Sequence, residues 1–382
     1  IFIQAIEQEA SDIHIESQEY RVRVRYRIDG MLREVMSLPK KILPAVISRI
    51  KIMSGIDIAE KRIPQDGRLR LRLGTREIDL RVSTLPTVYG EKIVIRLLDK
   101  GTVKSYKIER IGFSRLNRQR FTSALKRSHG MLLITGPTGS GKTTTLYAAL
   151  NEINTIEKNI ITVEDPVEYM LEGINQTQVN VKAGMTFAAG LRSILRQDPD
   201  IIMVGEIRDS ETAKISIKYA NTGHLVLSTL HTNDAAGAIT RLVEMGIEPF
   251  MVASSVLVTV AQRLVRLICP ECRQAYELAP DAVERVFIGV GSEQPVTLYK
   301  GAGCEHCGHT GYRGRMAIHE VLPITAGLRR LIIRNASSDE VKQKALAEGM
   351  ISLKMDGIQK VMEGLTTIEE VIRVANDDGA VD

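Results

Sequence analysis

The chain has 382 residues, 44% of them hydrophobic and 25% charged, a composition typical of a soluble globular protein with two or three domains. Its longest weakly polar run, Phe250 to Ala261, is shorter than the roughly 20 residues that cross a bilayer, and the lack of tryptophan argues against base stacking on aromatic side chains. The net charge of +5 comes from the first 100 residues, and it suits nucleic acid, acidic lipid or nucleotide phosphates. Because the sequence starts at Ile1 rather than methionine, we expect a fragment whose upstream domain is missing.

The N-terminal hundred residues are predicted to form a small α/β domain with an antiparallel sheet. Arginine alternates with apolar residues over Arg21–Arg27 and Arg68–Leu73, which indicates strands with one buried face. These arginine rows also suit nucleic acid, but the simpler interpretation is that one face of the sheet is solvated. Arg81 and Arg96 lie on the last two predicted strands of this domain.

A glycine-rich motif stands in the middle of the chain. It reads G-x-x-x-x-G-K-T from Gly136 to Thr143, between an apolar predicted strand at 131–135 and a predicted helix at 144–154. Glycines let consecutive backbone N–H groups surround phosphate oxygens, and the helix N-terminus adds a partial positive charge. A glycine-rich turn that matches by chance is the alternative. The predicted nucleotide-binding residues are Gly136, Pro137, Thr138, Gly139, Ser140, Gly141, Lys142, Thr143 and Thr144, with Lys142 on the β- and γ-phosphates and Thr143 on Mg²⁺.

Residues 108–268 alternate apolar strands with helices, as a parallel sheet requires. Glu164 and Glu206 each follow an apolar run, and ligands of such sheets lie beyond the carboxyl ends of the strands. Gly205 stands where the commonest second nucleotide motif has aspartate. Glu206 must then polarise water or hold a Mg²⁺-bound water, with helix capping as the alternative role.

Two histidines and two arginines extend the predicted site. His231 follows a further apolar strand, among hydroxyl and amide side chains suited to sensing a γ-phosphate. His224, at the start of the same strand, is left open between a structural and a functional role. Arg192 and Arg196 are four residues apart in a predicted helix and therefore share one face.

The cysteines form two C-x₂-C pairs, Cys269 with Cys272 and Cys304 with Cys307, separated by 31 residues. Two such pairs indicate a tetrahedral Cys₄ zinc site, which is structural because four thiolates leave no position for water. Disulfides are the competing interpretation, and they are rare in the cytosol, where a nucleotide-hydrolysing protein is expected. Beyond Arg315 the sequence predicts helices.

Several blocks of the sequence match one family. They are the phosphate loop GPTGSGKTTTLYAAL, the acidic box ITVEDPVEY, the block LRSILRQDPDIIMVGEIRD and the histidine box TGHLVLSTLHTND. With the tetracysteine segment, GYRGR, and the N-terminal ASDIHIE, RYRIDG, AEKRIPQDGR and RVSTLP, they resemble the ATPases of type II secretion and type IV pilus assembly, over essentially the whole chain. Glycine at the position before this glutamate, here Gly205, is typical of the family that the chain resembles. The family's first N-terminal domain, which docks the motor on its membrane platform, is expected to be absent.

The resemblance implies an α/β fold in which a RecA-like P-loop NTPase domain follows a smaller N-terminal α/β (PAS-like) domain. A zinc-binding subdomain and a C-terminal helical subdomain complete the chain. The expected boundaries are 1–99 for the second N-terminal domain, 100–107 for the linker, 108–268 for the ATPase core, 269–315 for the zinc-binding subdomain and 316–382 for the helical subdomain.

The same resemblance implies a hexameric motor that uses ATP, Mg²⁺ and Zn²⁺ to drive pilus or pseudopilus assembly. It would work in the cytoplasm, without inserting into the membrane, on platform and docking proteins of the bacterial inner membrane, and nucleic acid is not an expected partner. Either Glu164 or Glu206 would be the general base, and His231 would read the γ-phosphate. The further cationic residues implied are Arg81 and Arg96 as arginine fingers, and Arg192, Arg196 and Arg208 at phosphates or interfaces.

Three alternatives use the same fold. A nucleic-acid-translocating motor has the basic strands as its only support, and salt-dependent DNA association would be its signature. A nucleotide sensor without hydrolysis is disfavoured by the joint presence of Lys142, Glu164, Glu206 and His231. Retraction motors resemble this chain but typically lack the tetracysteine segment, which favours assembly or export.

Overall fold

The computed structural model describes residues 1–74, 76–99 and 107–375, so the predicted linker lies outside the described residues except for its last one. The chain forms two compact units, Ile1–Ser105 and Tyr106–Asp382, each with a hydrophobic core of its own. The finer division of the second unit stays a prediction. Among the described residues, no helix combines the length and apolar character needed to cross a bilayer.

The first unit is built on one six-stranded sheet with the order β3-β2-β1-β6-β5-β4. Every neighbouring pair in it is antiparallel, which confirms the predicted antiparallel sheet. The elements are α1 Phe2–Glu7, β1 Asp12–Ser17, β2 Arg21–Ile28, β3 Met31–Pro39, α2 Leu43–Met53, β4 Gln65–Leu73, β5 Arg76–Thr87 and β6 Gly90–Asp99.

Arginines on β2 occupy the outer face of this sheet. Val22, Val24 and Tyr26 alternate with them and are fully buried, as the period of two requires. Arg23 and Arg25 pair with Glu16 at 2.9 and 2.7 Å. Burial disfavours the Glu16 carboxylate, but hydrogen bonds from Arg25, Lys92 and Arg23 lower its pKa to about 2. The solvated-face interpretation is confirmed for this strand, and its arginines are engaged in ion pairs.

The second unit carries a seven-stranded sheet with the order β15-β12-β7-β11-β10-β8-β9. All neighbouring pairs are parallel except β12 with β15, which is antiparallel. The elements are α3 Ile108–Ile111, α4 Arg115–Leu125, β7 Gly130–Thr135, α5 Lys142–Ile153, β8 Ile160–Glu164, β9 Asn175–Gln178, α6 Phe187–Ile194, β10 Ile201–Val204, α7 Ser210–Asn221, β11 Leu225–Leu230, α8 Ala235–Glu244, α9 Pro249–Ser255, β12 Val256–Ile268, β13 Arg273–Glu277, α10 Glu284–Ile288, β14 Thr297–Gly301, β15 Tyr312–Pro323, α11 Ala326–Ile333, α12 Ser338–Ala347, α13 Leu353–Met362 and α14 Ile368–Ala375.

The predicted change to helices at residue 316 is wrong, because β15 runs from Tyr312 to Pro323 and pairs with β12 along the sheet. Two adjacent polar residues interrupt the apolar pattern by which this strand would be recognised in the sequence. His319 and Glu320 are both fully buried. Glu320 accepts a hydrogen bond from the backbone N–H of Ala235 at 2.9 Å, and the His319 ring stacks on Phe113 with centroids 3.9 Å apart. Contacts with distant residues, a hydrogen bond for Glu320 and ring stacking for His319, therefore accompany the burial of two side chains that the sequence pattern marks as surface.

Candidate nucleotide site and metal centre

The phosphate loop connects the fully buried strand β7 to helix α5. Gly136, Gly139 and Gly141 have φ angles of +147°, +80° and +86°, in the region that favours glycine. A Cβ on Gly136 would lie 2.5 Å from the backbone oxygen of Gln262, whereas a Cβ on Gly139 would meet nothing within 4 Å. The loop is thus packed on its inner side and open on the outer side, a form that fits the phosphates of a nucleotide.

Lys142 is the first residue of α5 and folds back over the loop. Its Nζ donates hydrogen bonds to the backbone oxygens of Gly136 at 2.8 Å and Pro137 at 3.0 Å. Burial lowers the pKa of Lys142 to about 8, with Glu206 acting in the opposite sense and Arg263 in the same sense. Thr143 beside it is exposed, and Thr144 is half-buried. The ammonium group therefore stands at the mouth of the loop in a partly desolvated setting.

Glu206 and His231 meet because β10 and β11 are parallel neighbours, so that their carboxyl ends share one edge of the sheet. One Glu206 oxygen is 2.5 Å from Nη2 of Arg208, and the other is 3.4 Å from Nε2 of His231. The Glu206 side chain is 16% exposed, which leaves it accessible to water. A Cβ on Gly205 would lie 3.3 Å from the Glu164 Cα. A side chain on residue 205 would press on the neighbouring backbone, which favours glycine where the commonest motif has aspartate.

Glu164 occupies a different environment from the one the sequence suggested. It is the last residue of β8 rather than the first residue beyond it, and it is 3% exposed. Its carboxylate accepts hydrogen bonds from the Tyr147 hydroxyl at 2.5 Å, the Thr162 hydroxyl at 2.6 Å and the Gln176 amide at 3.0 Å. These three donors and the burial of the side chain leave little room for a water molecule beside the carboxylate, and a general base must lie within hydrogen-bond reach of the proton it accepts. The geometry favours Glu206 over Glu164 as the base.

The predicted arginines of the second unit are placed unequally. Arg208 contacts Glu206, as described above. Arg192 on α6 pairs with Glu211 on α7, and Arg196 donates to the backbone oxygen of Arg192 at 3.0 Å. Among the described contacts of these three side chains, only those of Arg208 include Glu206. His224 lies at the opposite end of β11 from His231, with Nδ1 3.3 Å from the Tyr219 backbone oxygen, and this favours its structural role.

In the first unit, Arg81 and Arg96 are direct partners across β5 and β6. Arg81 is also the direct partner of Arg68 on β4, so three arginines stand side by side on one face of the sheet. They line a cavity of about 360 Å³ together with Asp12, Asp66, Gly67, Val82, Ser83 and Val94. The Nε of Arg96 lies 3.1 Å from Asp12. Arg68 was not among the predicted site residues, although strand pairing places it in the same row.

Two further residues on β12 reach the loop and were missed by the sequence analysis. The Gln262 amide nitrogen donates to the backbone oxygen of Ser140 at 2.7 Å. The buried Arg263 donates to the Asn233 backbone oxygen at 2.8 Å and lies close enough to lower the pKa of Lys142. The signal that could have found them is two adjacent polar residues inside the mostly apolar strand VLVTVAQRLVRLI.

All four cysteines are free and gather between the ends of β12 and β15. Their sulfurs lie within 4.8 Å of one another, with Cys269–Cys304 and Cys272–Cys307 at 3.9 Å and Cys304–Cys307 at 3.8 Å. Four ligands at about 2.3 Å from a tetrahedral zinc ion are about 3.8 Å apart, so this donor set fits the metal. The predicted grouping of the cysteines is confirmed. The same distances are well beyond the S–S bond length of about 2.05 Å, so the cysteines are not joined as disulfides in this structure.

Within the cluster, the thiol of Cys307 has a lowered pKa. Burial opposes the charged form of Cys307, but backbone N–H groups of Cys304 and Gly311 donate to its sulfur at 3.2 Å. These bonds lower the pKa of Cys307 to about 6. Metals bind the thiolate rather than the thiol, so these hydrogen bonds favour the form of Cys307 that a metal ion requires.

The sequence matches the family model described as type II/IV secretion system protein over residues 1–373. The chain belongs to this family. It is 52% identical over 375 residues to the type II secretion system protein E of Aeromonas hydrophila, a match that covers 98% of this chain and 74% of that protein. It is 54% identical over 369 residues to the type IV pilus assembly ATPase PilB of Thermus thermophilus, covering 97% of this chain and 41% of that protein.

Among solved structures, the pilus retraction motor PilT with bound ADP matches with a TM-score of 0.63 and 25% identity, covering 99% of this chain and 96% of that one. The family resemblance and the α/β fold class inferred from the sequence are both confirmed. The relatives divide between secretion and pilus assembly, the same two pathways that the sequence left unseparated.

Proposed function

We propose that this chain is a mechanochemical ATPase that drives assembly of a pseudopilus or a pilus. The observation that carries the proposal is the convergence of a phosphate loop, Glu206 and His231 at the carboxyl edge of one parallel sheet, the usual place of a nucleotide in such sheets. The names of its relatives, a type II secretion protein and a pilus assembly ATPase, support the pathway. The four-cysteine cluster favours assembly over retraction.

Each residue has a role in this proposal. Lys142 and the loop N–H groups hold the β- and γ-phosphates, and the Thr143 hydroxyl would hold Mg²⁺, which when bound neutralises charge between those phosphates. Glu206 accepts the proton of the attacking water, and its contacts with His231 and Arg208 orient it. His231 senses the γ-phosphate. Arg192 and Arg196 contact phosphates or a neighbouring subunit. Zn²⁺ fits the Cys₄ cluster as a structural ion.

The working assembly in this proposal is a hexamer in the cytoplasm, held at the bacterial inner membrane by platform and docking proteins. Arg81 and Arg96 act as arginine fingers that approach the γ-phosphate on closure of the ring. A cation that arrives only on closure couples hydrolysis to movement. The nucleic-acid motor loses support because Arg23 and Arg25 are ion-paired with Glu16 rather than presented as a free basic surface.

Turnover per chain is expected to rise with protein concentration. Arg81→Ala is expected to lower turnover by at least roughly tenfold, less than the ~10³–10⁵-fold of a sole arginine finger because Arg96 remains, and to flatten that rise. Phosphate release, measured over a range of chain concentrations, checks both effects. Arg70→Ala is the matched control, because Arg70 is an exposed arginine of the neighbouring strand that pairs with Asp79. Turnover that is independent of both concentration and Arg81 would contradict the arginine-finger role and remove the main support for a motor.

Affinity for ADP is expected to weaken as the pH rises above about 8. Phosphate oxygens bind the ammonium form of Lys142, whose pKa in the free protein is about 8 because of burial. Above that pH, binding must first take up a proton, so affinity falls by up to about tenfold per pH unit. Titration calorimetry with ADP from pH 7 to pH 9.5 measures the effect. The Lys142→Met variant should bind more weakly and show no such slope, and a wild-type affinity that is constant to pH 9.5 would disprove the assignment.

A further inference from the structure

Gln262 is a buried polar residue in the middle of β12, next to the strand that leads into the phosphate loop. It is 1% exposed, and both ends of its amide are used. The nitrogen donates to the backbone oxygen of Ser140 at 2.7 Å, and the oxygen accepts from the Thr145 hydroxyl at 2.7 Å. Ser140 belongs to the loop and Thr145 to the first turn of α5, so one side chain ties together the two segments that surround the phosphates.

The contact with Ser140 sets the direction of one particular peptide group. In a planar trans peptide the C=O and the following N–H point in opposite directions. The Ser140 oxygen is drawn towards β12 by Gln262, so the N–H of Gly141 points away from β12, towards the open side of the loop. An N–H presented in this way is a donor for phosphate oxygens.

The loop also packs closely against the same residue. A Cβ on Gly141 would lie 2.9 Å from the Gln262 amide nitrogen, and a Cβ on Gly136 would lie 2.5 Å from its backbone oxygen. Both glycines therefore rest directly on Gln262. These contacts fix the phosphate-binding conformation of the loop before any ligand arrives. They therefore reduce the entropy cost of ordering the loop when a ligand binds.

We propose that Gln262 is a positioning residue that orients the Ser140–Gly141 peptide towards the nucleotide's phosphates and thereby sets phosphate affinity. The inference rests on the proposed function, since it assumes that the loop binds a nucleotide. It adds a residue on a strand that follows the loop by more than a hundred positions. A residue serving only the core would affect the free energy of unfolding without changing the affinity for ADP at a given temperature well below the unfolding midpoint.

The test compares Gln262→Met with Gln262→Glu. Methionine fills a similar volume without either hydrogen bond, and loss of a positioning hydrogen bond worth about 0.5–1.5 kcal/mol predicts roughly two- to thirteenfold weaker ADP binding. Glutamate keeps an acceptor for Thr145, but it can donate to Ser140 only when protonated. Burial raises the pKa of such a carboxyl group, so the ADP affinity of Gln262→Glu should recover towards the wild-type value between pH 8 and pH 6, while that of Gln262→Met should not.

Thr259→Val is the matched control, because it removes a buried hydrogen bond of 2.8 Å from the same strand to the backbone of Ala235. It should lower the unfolding midpoint and leave the ADP dissociation constant unchanged. ADP binding by Gln262→Met within twofold of wild type would overturn the inference, as would a Gln262→Glu variant that follows Gln262→Met at every pH. If wild type itself bound no ADP, the proposed function would fail and the inference with it, whereas binding that is equal in all variants would overturn the inference alone.

Discussion

Replacing Glu206 with glutamine is expected to lower ATP turnover by about a hundredfold to ten-thousandfold, the range of a lost general base, while ADP binding stays close to wild type. The structure gives this residue the features of a base. It is partly open to water, it follows β10 at the ligand edge of the sheet, and His231 and Arg208 contact its two oxygens. Glutamine keeps the shape and the approach of Arg208 but cannot accept the proton.

Glu164→Gln should behave differently. Its carboxylate is enclosed and accepts from Tyr147, Thr162 and Gln176, so an amide there places donors against donors. We expect a lower unfolding midpoint, because an unsatisfied buried group costs about 1–3 kcal/mol of stability. The loss of turnover should stay below about tenfold, because Glu206 remains to accept the proton. Single-turnover hydrolysis and thermal unfolding on both variants decide between them, with exposed Glu211→Gln as the control. Near-normal turnover in Glu206→Gln together with inactive Glu164→Gln would reverse the assignment.

The parts of the site that the sequence predicted well depend on local signals. The phosphate loop combines a strand, three glycines with positive φ and a helix start, and each of these is encoded within about 20 residues of Lys142. The strand before Glu206 is a short apolar run in a parallel sheet, which is recognisable without knowing its neighbours. The exposure of Glu206 and the burial of Glu164 could not be predicted, because they depend on which strands and side chains come to lie beside each one.

The parts that were missed depend on distant partners. Gln262 and His319 look like surface residues in a strand pattern, yet both are buried, and the partners of Gln262 lie 117 and 122 positions away. The row formed by Arg68 with Arg81 and Arg96 needs the register of three strands. A single sequence contains no measure of such pairings, so polar residues that serve the core or the site cannot be separated from polar residues on the surface.

Replacing Cys304 with serine is expected to reduce zinc content from one ion per chain to nearly none. A serine hydroxyl does not replace a thiolate as a zinc ligand, and the remaining three cysteines no longer close the tetrahedron. The cluster joins strand ends that lie next to each other in the sheet, since Cys269 directly follows β12 and its N–H donates to the Gly311 oxygen at 2.9 Å, just before β15. Loss of the metal should therefore loosen both strands.

The expected change in stability is a fall of the unfolding midpoint by on the order of 10 °C, because the binding free energy of a structural metal is part of the folding free energy. Metal analysis on the purified protein and thermal unfolding with and without a chelator measure both effects. His306→Ala is the control, because His306 is exposed beside the cluster and should keep the metal. Zinc at one ion per chain in Cys304→Ser would contradict the Cys₄ site, and a chelator that lowers the midpoint of wild type but not of Cys304→Ser would establish it. Because β12 also carries Gln262, metal loss that weakens ADP binding in wild type but not in Gln262→Met would show that this strand connects the two sites.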